Sequence, residues 1–246
     1  MSCGTLYLIP ATLGDLKAEI DSGLLDASLP AAVRSKTASL TTFAVENAKS
    51  ARAYLKIVGI GRPIAELAIT EFGHAPDDKS LKPLVDKLLR GIDVGVLAEA
   101  GCPGIADPGA QLARLAHAAG VRVVPLTGPS SILLALMASG LDGQRFAFAG
   151  YAPVKSPQRE EFLKRLEARS TRERETQILI ETPYRNGALM QALLTTLKSE
   201  TRLCVALDLT LGTESIRMLR IGEWRKAPHT PCALDKKPAV FLFLAA

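Results

Sequence analysis

The first half of the chain alternates short, largely apolar runs with stretches in which apolar residues recur at helical spacing. Short apolar runs without polar alternation are typical of strands that are buried on both faces of a parallel sheet. The predicted strands span residues 6–9, 40–45, 64–69, 94–98 and 121–126, and the predicted helices span 47–57, 80–89 and 109–119. This alternation predicts an α/β domain with a mainly parallel sheet.

The pattern changes after residue 126, where the segment TGPSSILLALMASG begins. Pro129 and the two serines after it are placed to open a helix with several apolar positions. The remaining predicted strands span residues 145–149, 177–181, 203–209, 216–221 and 239–245, with helices over 157–168 and 187–197. Because no helical pattern separates the last two strands, we expect a mixed sheet. Two α/β domains are therefore expected, over residues 1–126 and 127–246, with a cleft between them.

Composition narrows the class of protein. The 246 residues are 48% apolar and 22% charged, which suits one large domain or two smaller ones. The longest uncharged run, residues 123–141, is interrupted by prolines and glycines, so no transmembrane segment is predicted. The amino terminus has no basic leader before its first apolar run, so we expect a cytoplasmic protein. Because the four cysteines and three histidines are scattered, neither a metal site nor a disulfide framework is expected.

The positive net charge is weak evidence for an anionic partner. A formal net charge of +5 favours a polyanion such as RNA, although moderate basicity is also common in proteins that never contact nucleic acid. Residues 155–175 hold seven basic and five acidic residues. Their interleaved signs are typical of a solvated helix face followed by an exposed loop, and a ridge that binds the RNA backbone is the alternative interpretation.

Three turn-rich corners follow the first, fourth and fifth predicted strands. The first corner is LIPATLGD (8–15), the second is LAEAGCPGIADPG (97–109) and the third is PLTGPSS (125–131). Because ligands bind beyond the carboxyl ends of parallel strands, the corners are placed to meet around one ligand. Their glycines allow close approach of the main chain, and helix starts at Pro108 and Pro129 direct unpaired N–H groups outward. The chain lacks both G-x-G-x-x-G and G-x-x-x-x-G-K-[ST], which disfavours a standard dinucleotide or triphosphate site.

The order of these motifs resembles the tetrapyrrole methylase superfamily of S-adenosylmethionine-dependent methyltransferases. The resemblance rests on LYLIPATLGD (6–15), AEAGCPGIADPGAQL (98–112), VRVVPLTGPSSILLALMASGL (121–141), RFAFAGYAPVKSPQR (145–159) and ILIETPYRN (178–186). It is strongest for the branch that contains ribosomal RNA small-subunit methyltransferase I, which methylates a cytidine ribose 2′-oxygen. The resemblance implies an enzyme that binds S-adenosylmethionine between two α/β domains, acts on ribosomal RNA and forms a homodimer.

The resemblance also implies which residues hold the cofactor. They are Pro10, Ala100, Gly101, Cys102, Pro103, Ile105, Ser130, Ser131, Thr182, Pro183, Leu207 and Asp208. The stretch from Gly101 to Pro103 matches a Gly-Asp-Pro segment that holds the methionine part in many relatives, while Thr182 and Pro183 match a segment that closes over the adenosyl group. Since no histidine lies near Cys102 in the sequence, we interpret its thiol as a small packing group rather than a nucleophile.

The acceptor side of the site departs from the RNA-modifying relatives. Methyl transfer mainly requires alignment of the acceptor with the methyl group, and a carboxylate can assist removal of a hydroxyl proton. Glu46 and Glu99, at predicted strand ends, are the candidates, and a purely structural role is the alternative for each. Relatives usually carry Glu-Asp-Thr-Arg where this chain has Glu46 followed by NAK, so Arg52, one helical turn on, is the candidate phosphate contact. A tetrapyrrole or other small-molecule acceptor, or a non-catalytic module that binds S-adenosylmethionine, remains an alternative.

Overall fold

The chain forms two compact units, Met1–Ser130 and Ser131–Ala246. The structure, a computed structural model, describes residues 3–14, 23–226, 234 and 236–246. The sequence pattern put the boundary between residues 126 and 127, in the connection that follows the last strand of the first sheet. Within the described ranges, no helix combines the length and apolarity needed to cross a membrane.

The first unit is a parallel sheet flanked by helices, as the sequence predicted. Its strands are β1 (Thr5–Ile9), β2 (Thr42–Val45), β3 (Ala68–Glu71), β4 (Val94–Leu97) and β5 (Arg122–Pro125). They lie in the order β3-β2-β4-β1-β5, and every neighbouring pair is parallel. The helices are α1 (Leu24–Ser28), α2 (Ala31–Ser39), α3 (Ala48–Val58), α4 (Asp78–Leu89) and α5 (Gly109–Ala118). Helices α1 and α2 were not predicted.

Alternate residues of the central strands fill two separate cores. Phe43 of β2 packs into a cluster with Leu55 of α3, whereas Ala44 packs on the opposite face with Leu84 of α4. Gly95 in β4 has a steric role, because a Cβ there would lie 2.5 Å from Ile9 Cδ1. A larger residue in this central strand would therefore displace the apolar side chains that cross it.

The predicted strand over residues 64–69 is wrong in its first half. Residues Ile64–Glu66 form a 3-10 turn, and β3 begins only at Ala68. Pro63, with φ −59°, precedes the turn, and the Leu67 amide donates to the Ile64 carbonyl at 3.2 Å. The apolar character of this segment reflects packing against the core cluster of α3 rather than strand pairing.

The second unit contains the mixed sheet that the sequence predicted. Its strands are β6 (Phe146–Tyr151), β7 (Thr176–Glu181), β8 (Arg202–Leu207), β9 (Ser215–Arg220) and β10 (Ala239–Leu244), in the order β6-β7-β10-β8-β9. The first pair is parallel and the other three pairs are antiparallel. The helices are α6 (Ser131–Ser139), α7 (Ser156–Glu173), α8 (Asn186–Thr196) and α9 (Ile221–Trp224).

The last strand lies in the middle of this sheet rather than beside the strand that precedes it. β10 pairs with β7 and β8, and the predicted strand 216–221 ends at Arg220 because Ile221 begins α9. All six residues of β10 are buried, which is the environment that its uniformly apolar sequence favours. The expectation of antiparallel pairing was therefore correct, although β9 and β10 do not pair with each other.

A substitution at Phe241 tests the central position of β10 in the mixed sheet. The Phe241 side chain is fully buried in a cluster that includes Trp224. We expect Phe241→Ala to lower the free energy of unfolding of the second unit by about 3–5 kcal/mol, because it leaves a cavity in the core. Denaturant titration followed by the fluorescence of Trp224, the single tryptophan in the sequence, measures this change. Met137→Ala, at a side chain that is 80% exposed, is the control, and equal effects of the two changes would contradict the packing.

Candidate functional site

The first and second corners are joined by reciprocal backbone hydrogen bonds. The Ala11 amide donates to the Gly101 carbonyl at 2.9 Å, and the Gly101 amide donates to the Ala11 carbonyl at 3.1 Å. Gly101 has φ +67°, which glycine adopts readily and other residues rarely do. The described part of the first corner, which excludes Asp15, is therefore fastened to the second corner at the carboxyl ends of the adjacent strands β1 and β4.

The third corner packs against both of the others. A Cβ at Gly128 would lie 2.2 Å from Pro10 Cγ, so the absence of a side chain permits this close approach. The Cys102 thiol lies 3.4 Å from the Pro129 carbonyl oxygen, to which it donates a hydrogen bond. The corners therefore converge within the first unit, which holds the third corner as far as Ser130.

Asp107 gives the second corner its internal shape and was not identified from the sequence. Its Oδ1 accepts hydrogen bonds from the Gly104 amide at 3.0 Å and the Gly109 amide at 2.6 Å. The N–H group of Gly109 at the start of α5 is therefore occupied by Asp107, contrary to the expectation that this helix start offers its first N–H groups to a ligand. Ala106 has φ +56°, a strained conformation for a residue with a Cβ.

The remaining second-corner residues differ in exposure. Ala100 is exposed, Pro103 is buried, and the Ile105 side chain is 52% exposed. Burial raises the pKa of the Cys102 thiol, so this group carries little thiolate at neutral pH. This environment agrees with a packing role for Cys102 rather than a nucleophilic one.

A pocket lies directly beside the joined corners. We call it the acidic pocket, and it is lined by Ala11, Val45, Glu46, Asn47, Ser50, Ala51, Tyr54, Leu97, Ala98 and Glu99. Its empty volume is ≈ 300 Å³, open solvent included, and it opens at the carboxyl ends of the neighbouring strands β2 and β4. Ala11 belongs to both the pocket and the first corner, and the buried Tyr54 hydroxyl donates to the Pro10 carbonyl at 2.8 Å. The pocket and the corners are therefore one continuous structure.

Glu46 is largely enclosed in the acidic pocket. It follows β2 directly, and its side chain is 12% exposed. One carboxylate oxygen contacts Nδ1 of His74, which lies in the loop after β3. Burial raises the pKa of the Glu46 carboxyl above its ordinary value, and the nearby Asp107 and Glu99 carboxylates act in the same direction, whereas His74 opposes them. His74 was not identified from the sequence, where its one signal was a position soon after β3, the strand that neighbours β2.

Glu99 and Asn47 both form hydrogen bonds with the first turn of helix α3. Glu99 is exposed and accepts a hydrogen bond from the Ser50 hydroxyl. Asn47 Oδ1 accepts from the amides of Lys49 at 2.8 Å and Ser50 at 3.3 Å, so Asn47 caps the helix. Aspartate, the residue that the resemblance implies at this position, is also a favoured helix cap, so Asn47 retains the capping function.

Arg52 lies on the exposed side of α3 and does not line the acidic pocket. Its Nη1 donates to the Ala48 carbonyl at 3.4 Å, at the limit of a hydrogen bond. The guanidinium therefore remains available to solvent, and its predicted contact with phosphate stays a prediction.

The other predicted cofactor residues lie in the second unit. Ser131 begins α6, Thr182 and Pro183 follow β7, and Leu207 and Asp208 stand at the end of β8. Both strand ends lie at the same edge of the mixed sheet, since each pairs there with the first residue of β10.

Asp208 is the most constrained of these positions. It has φ +48° and is 5% exposed. Its Oδ2 pairs with Lys237 Nζ at 2.6 Å and accepts from the Thr213 hydroxyl at 2.8 Å. The Asp208 carboxylate therefore stabilises the loop after β8, in which it lies. Across the described part of the chain, no group of three or more His, Cys, Asp or Glu side chains could hold a metal ion.

Comparison with known proteins identifies the family. A family model described as Tetrapyrrole (Corrin/Porphyrin) Methylases matches residues 43–223. A ribosomal RNA small subunit methyltransferase I from Vibrio cholerae is 34% identical over 218 residues, which cover 89% of this chain and 69% of the relative. The protein of the same name from Xylella fastidiosa is 32% identical over 214 residues, covering 87% of this chain and 71% of the relative.

Solved structures share the fold at lower identity. The methyltransferase CobJ has a TM-score of 0.63 at 16% identity, covering 100% of this chain and 95% of that one. The cobalt precorrin-4 methyltransferase CbiF has a TM-score of 0.59 at 15% identity, covering 98% of this chain and 94% of that one. At these identities the structures establish the α/β architecture alone. The chain therefore belongs to the tetrapyrrole methylase family, in the branch of its ribosomal RNA small subunit methyltransferase I relatives, and is a methyltransferase.

Proposed function

We propose that the chain transfers a methyl group from S-adenosylmethionine to a ribose 2′-hydroxyl of ribosomal RNA. The relatives that match over most of the chain bear the name of a ribosomal RNA methyltransferase, and the net charge of +5 suits an anionic substrate. The observation that carries the proposal is the pairing of Ala11 with Gly101. It joins the corners, which suit the methyl donor, to the acidic pocket, which suits the acceptor.

The residues of the second corner fit a ligand that carries positive charge. The three corners contain no Lys or Arg, whereas Glu99 and Asp107 lie within the second corner. A Cβ at Gly101 would lie 3.2 Å from Leu13 Cδ2 and 3.5 Å from the Pro129 carbonyl oxygen, so the glycine permits the close contact of the three corners. S-adenosylmethionine, when bound, supplies a methyl group on a positively charged sulfur.

The residues that would hold the methyl donor are those expected from the resemblance. In the first unit they are Pro10, Ala100, Gly101, Cys102, Pro103, Ile105 and Ser130, and in the second unit they are Ser131, Thr182, Pro183, Leu207 and Asp208. The first set supplies mainly backbone and apolar contacts. The second set lies at helix and strand ends, and its loops are fixed by local hydrogen bonds: the Thr182 amide donates to the Glu181 carboxylate at 2.7 Å, and the Asp208 amide donates to the Pro238 carbonyl at 3.1 Å.

Glu46 is the group we assign to the acceptor proton. As the acceptor oxygen bonds to the methyl carbon, the carbon–sulfur bond breaks, its electron pair goes to sulfur, and the hydroxyl proton passes to the Glu46 carboxylate. Burial raises the pKa of Glu46, which makes the carboxylate a stronger base than an exposed one. Glu99, exposed and bonded to Ser50, is better placed to bind the acceptor than to take its proton.

Two broader expectations belong to the same proposal. A ribosomal RNA substrate places the enzyme in the cytoplasm, and the resemblance to the superfamily supports a homodimer. The solved tetrapyrrole methyltransferases share only the fold with this chain, so no specific observation favours a tetrapyrrole acceptor.

Methyl transfer tests the function directly. Labelled S-adenosylmethionine is incubated with the protein and ribosomal RNA from cells that lack it, and incorporation into ribose is measured. Because general-base assistance contributes about 10²-fold or more, we expect Glu46→Gln to lower kcat by about 10²-fold. Glu66→Gln, at an exposed carboxylate outside the pocket and corners, is the matched control. Absence of incorporation into any ribosomal RNA preparation refutes the RNA substrate.

Calorimetry with S-adenosylhomocysteine tests the second corner. We expect Gly101→Ala to weaken binding at least tenfold, or about 1.4 kcal/mol. The new methyl group would crowd Leu13 and the Pro129 carbonyl and so displace the second corner. Gly120→Ala is the matched control, because Gly120 also has positive φ (+70°) but has open space around it. Equal losses in the two variants would show that the corner does not hold the methyl donor. Binding in the wild type without turnover on any acceptor would instead support a non-catalytic module.

The phosphate contact of Arg52 has a salt-dependent signature. We expect Arg52→Ala to weaken RNA binding and to reduce the slope of log K against log salt by about 1, because one fewer counterion is released. Filter binding at several salt concentrations measures the slope. Arg62→Ala is the control, since Arg62 is exposed beyond the carboxyl end of α3, at the sheet edge opposite the corners. An unchanged slope for Arg52→Ala rules out the contact.

A further inference from the structure

His74 holds the solvent side of the Glu46 carboxylate. Its Nδ1 contacts one Glu46 oxygen, and the two side chains differ sharply in exposure, 88% for His74 and 12% for Glu46. The loop that carries His74 follows β3, the direct neighbour of β2, so the two residues reach the same sheet edge from adjacent strands. The contact therefore links an enclosed carboxylate to a solvent-facing imidazole.

The other ionisable groups around Glu46 are mostly acidic. The second corner contributes the Glu99 and Asp107 carboxylates, both of which disfavour the anionic form of Glu46. The Glu71 carboxylate, at the end of β3, accepts a hydrogen bond from the Ala48 amide at 2.8 Å. The basic residues Lys49 and Arg52 lie on the exposed side of α3. His74 is thus the contact that supports the Glu46 anion against burial and two like charges.

We propose that His74 is a positioning residue for methyl transfer: its Nδ1–H donates to the Glu46 carboxylate and holds that carboxylate, unprotonated, toward the acceptor. The inference rests on the proposed function, in which Glu46 accepts the hydroxyl proton. The imidazole donates through Nδ1 when it is protonated and also when it is neutral with its hydrogen on Nδ1, the tautomer that a contact with a carboxylate favours. In both forms the carboxylate remains the group that receives the acceptor proton. His74 itself does not contact the acceptor.

The sign of the pH effect follows from these contacts. Without His74, burial and the neighbouring carboxylates act unopposed, so Glu46 retains its proton to higher pH. The fraction of enzyme with Glu46 ready to accept a proton then falls on the acidic side and recovers as pH rises. A residue that only supported the fold would instead lower activity at every pH.

Three variants test the inference. His74→Ala removes the imidazole, His74→Asn places an amide N–H close to the position of Nδ1, and His117→Ala removes an exposed histidine from the last turn of α5 as the matched control. Two quantities are measured against pH: kcat/KM for RNA methylation, and the ¹³C shift of the Glu46 carboxyl in the full-length protein without ligand, assigned by comparison with Glu46→Gln.

We expect the acidic limb of kcat/KM and the Glu46 titration to move together to higher pH in His74→Ala, with activity recovering at alkaline pH. His74→Asn restores part of both shifts, and His117→Ala matches the wild type. Unchanged Glu46 titration in His74→Ala, or an equal loss of activity at every pH, overturns the inference while leaving RNA methylation intact. A wild-type enzyme that methylates no RNA overturns the proposed function first, and the role of His74 with it.

Discussion

The close approach of main chain at the carboxyl edge of the parallel sheet is the constraint on which the site depends. Ala11 and Gly101 exchange two backbone hydrogen bonds, and Gly128 lies against Pro10 with no room for a Cβ. Both glycines are required for physical reasons, one for its positive φ and the other for contact distance. These turns follow three adjacent strands, β4, β1 and β5. The hydrogen-bonded sheet therefore fixes the positions of the three corners relative to one another. The acidic pocket shares Ala11 with this structure and so has a defined position relative to it.

The pocket balances two opposing electrostatic effects. Enclosing Glu46 near Glu99 and Asp107 raises the cost of its charge, which suits a group that must accept a proton and release it again. An exposed imidazole offsets part of that cost without filling the pocket, since His74 contacts the carboxylate from the solvent side. The chemistry proposed for the enzyme therefore needs few side chains, and most of the structure serves alignment.

The strand order of the second unit results from the insertion of β10 between β7 and β8. The loop after β8 is tied to the start of β10 by the pair Asp208–Lys237, and the side chain of Asn186 donates to the Lys237 carbonyl at 2.7 Å. These contacts stabilise a loop in which both Asp208 and Thr210 have positive φ. Such strain persists only where surrounding contacts hold it, and it lies beside positions proposed to bind the methyl donor.

Local sequence determined most of the element types, the parallel sheet, the mixed sheet and the corners, although it did not indicate α1 and α2. Apolar periodicity and turn residues report directly on which residues are buried and where the chain must bend. Tertiary structure alone decided which partners meet. It placed His74 on Glu46, gave Asp107 the amides of its own corner, set β10 between strands distant in sequence, and converted the segment before β3 into a turn. The physical reason is that periodicity records burial without naming the neighbour, whereas hydrogen bonds and ion pairs between distant residues depend on the order in which strands assemble.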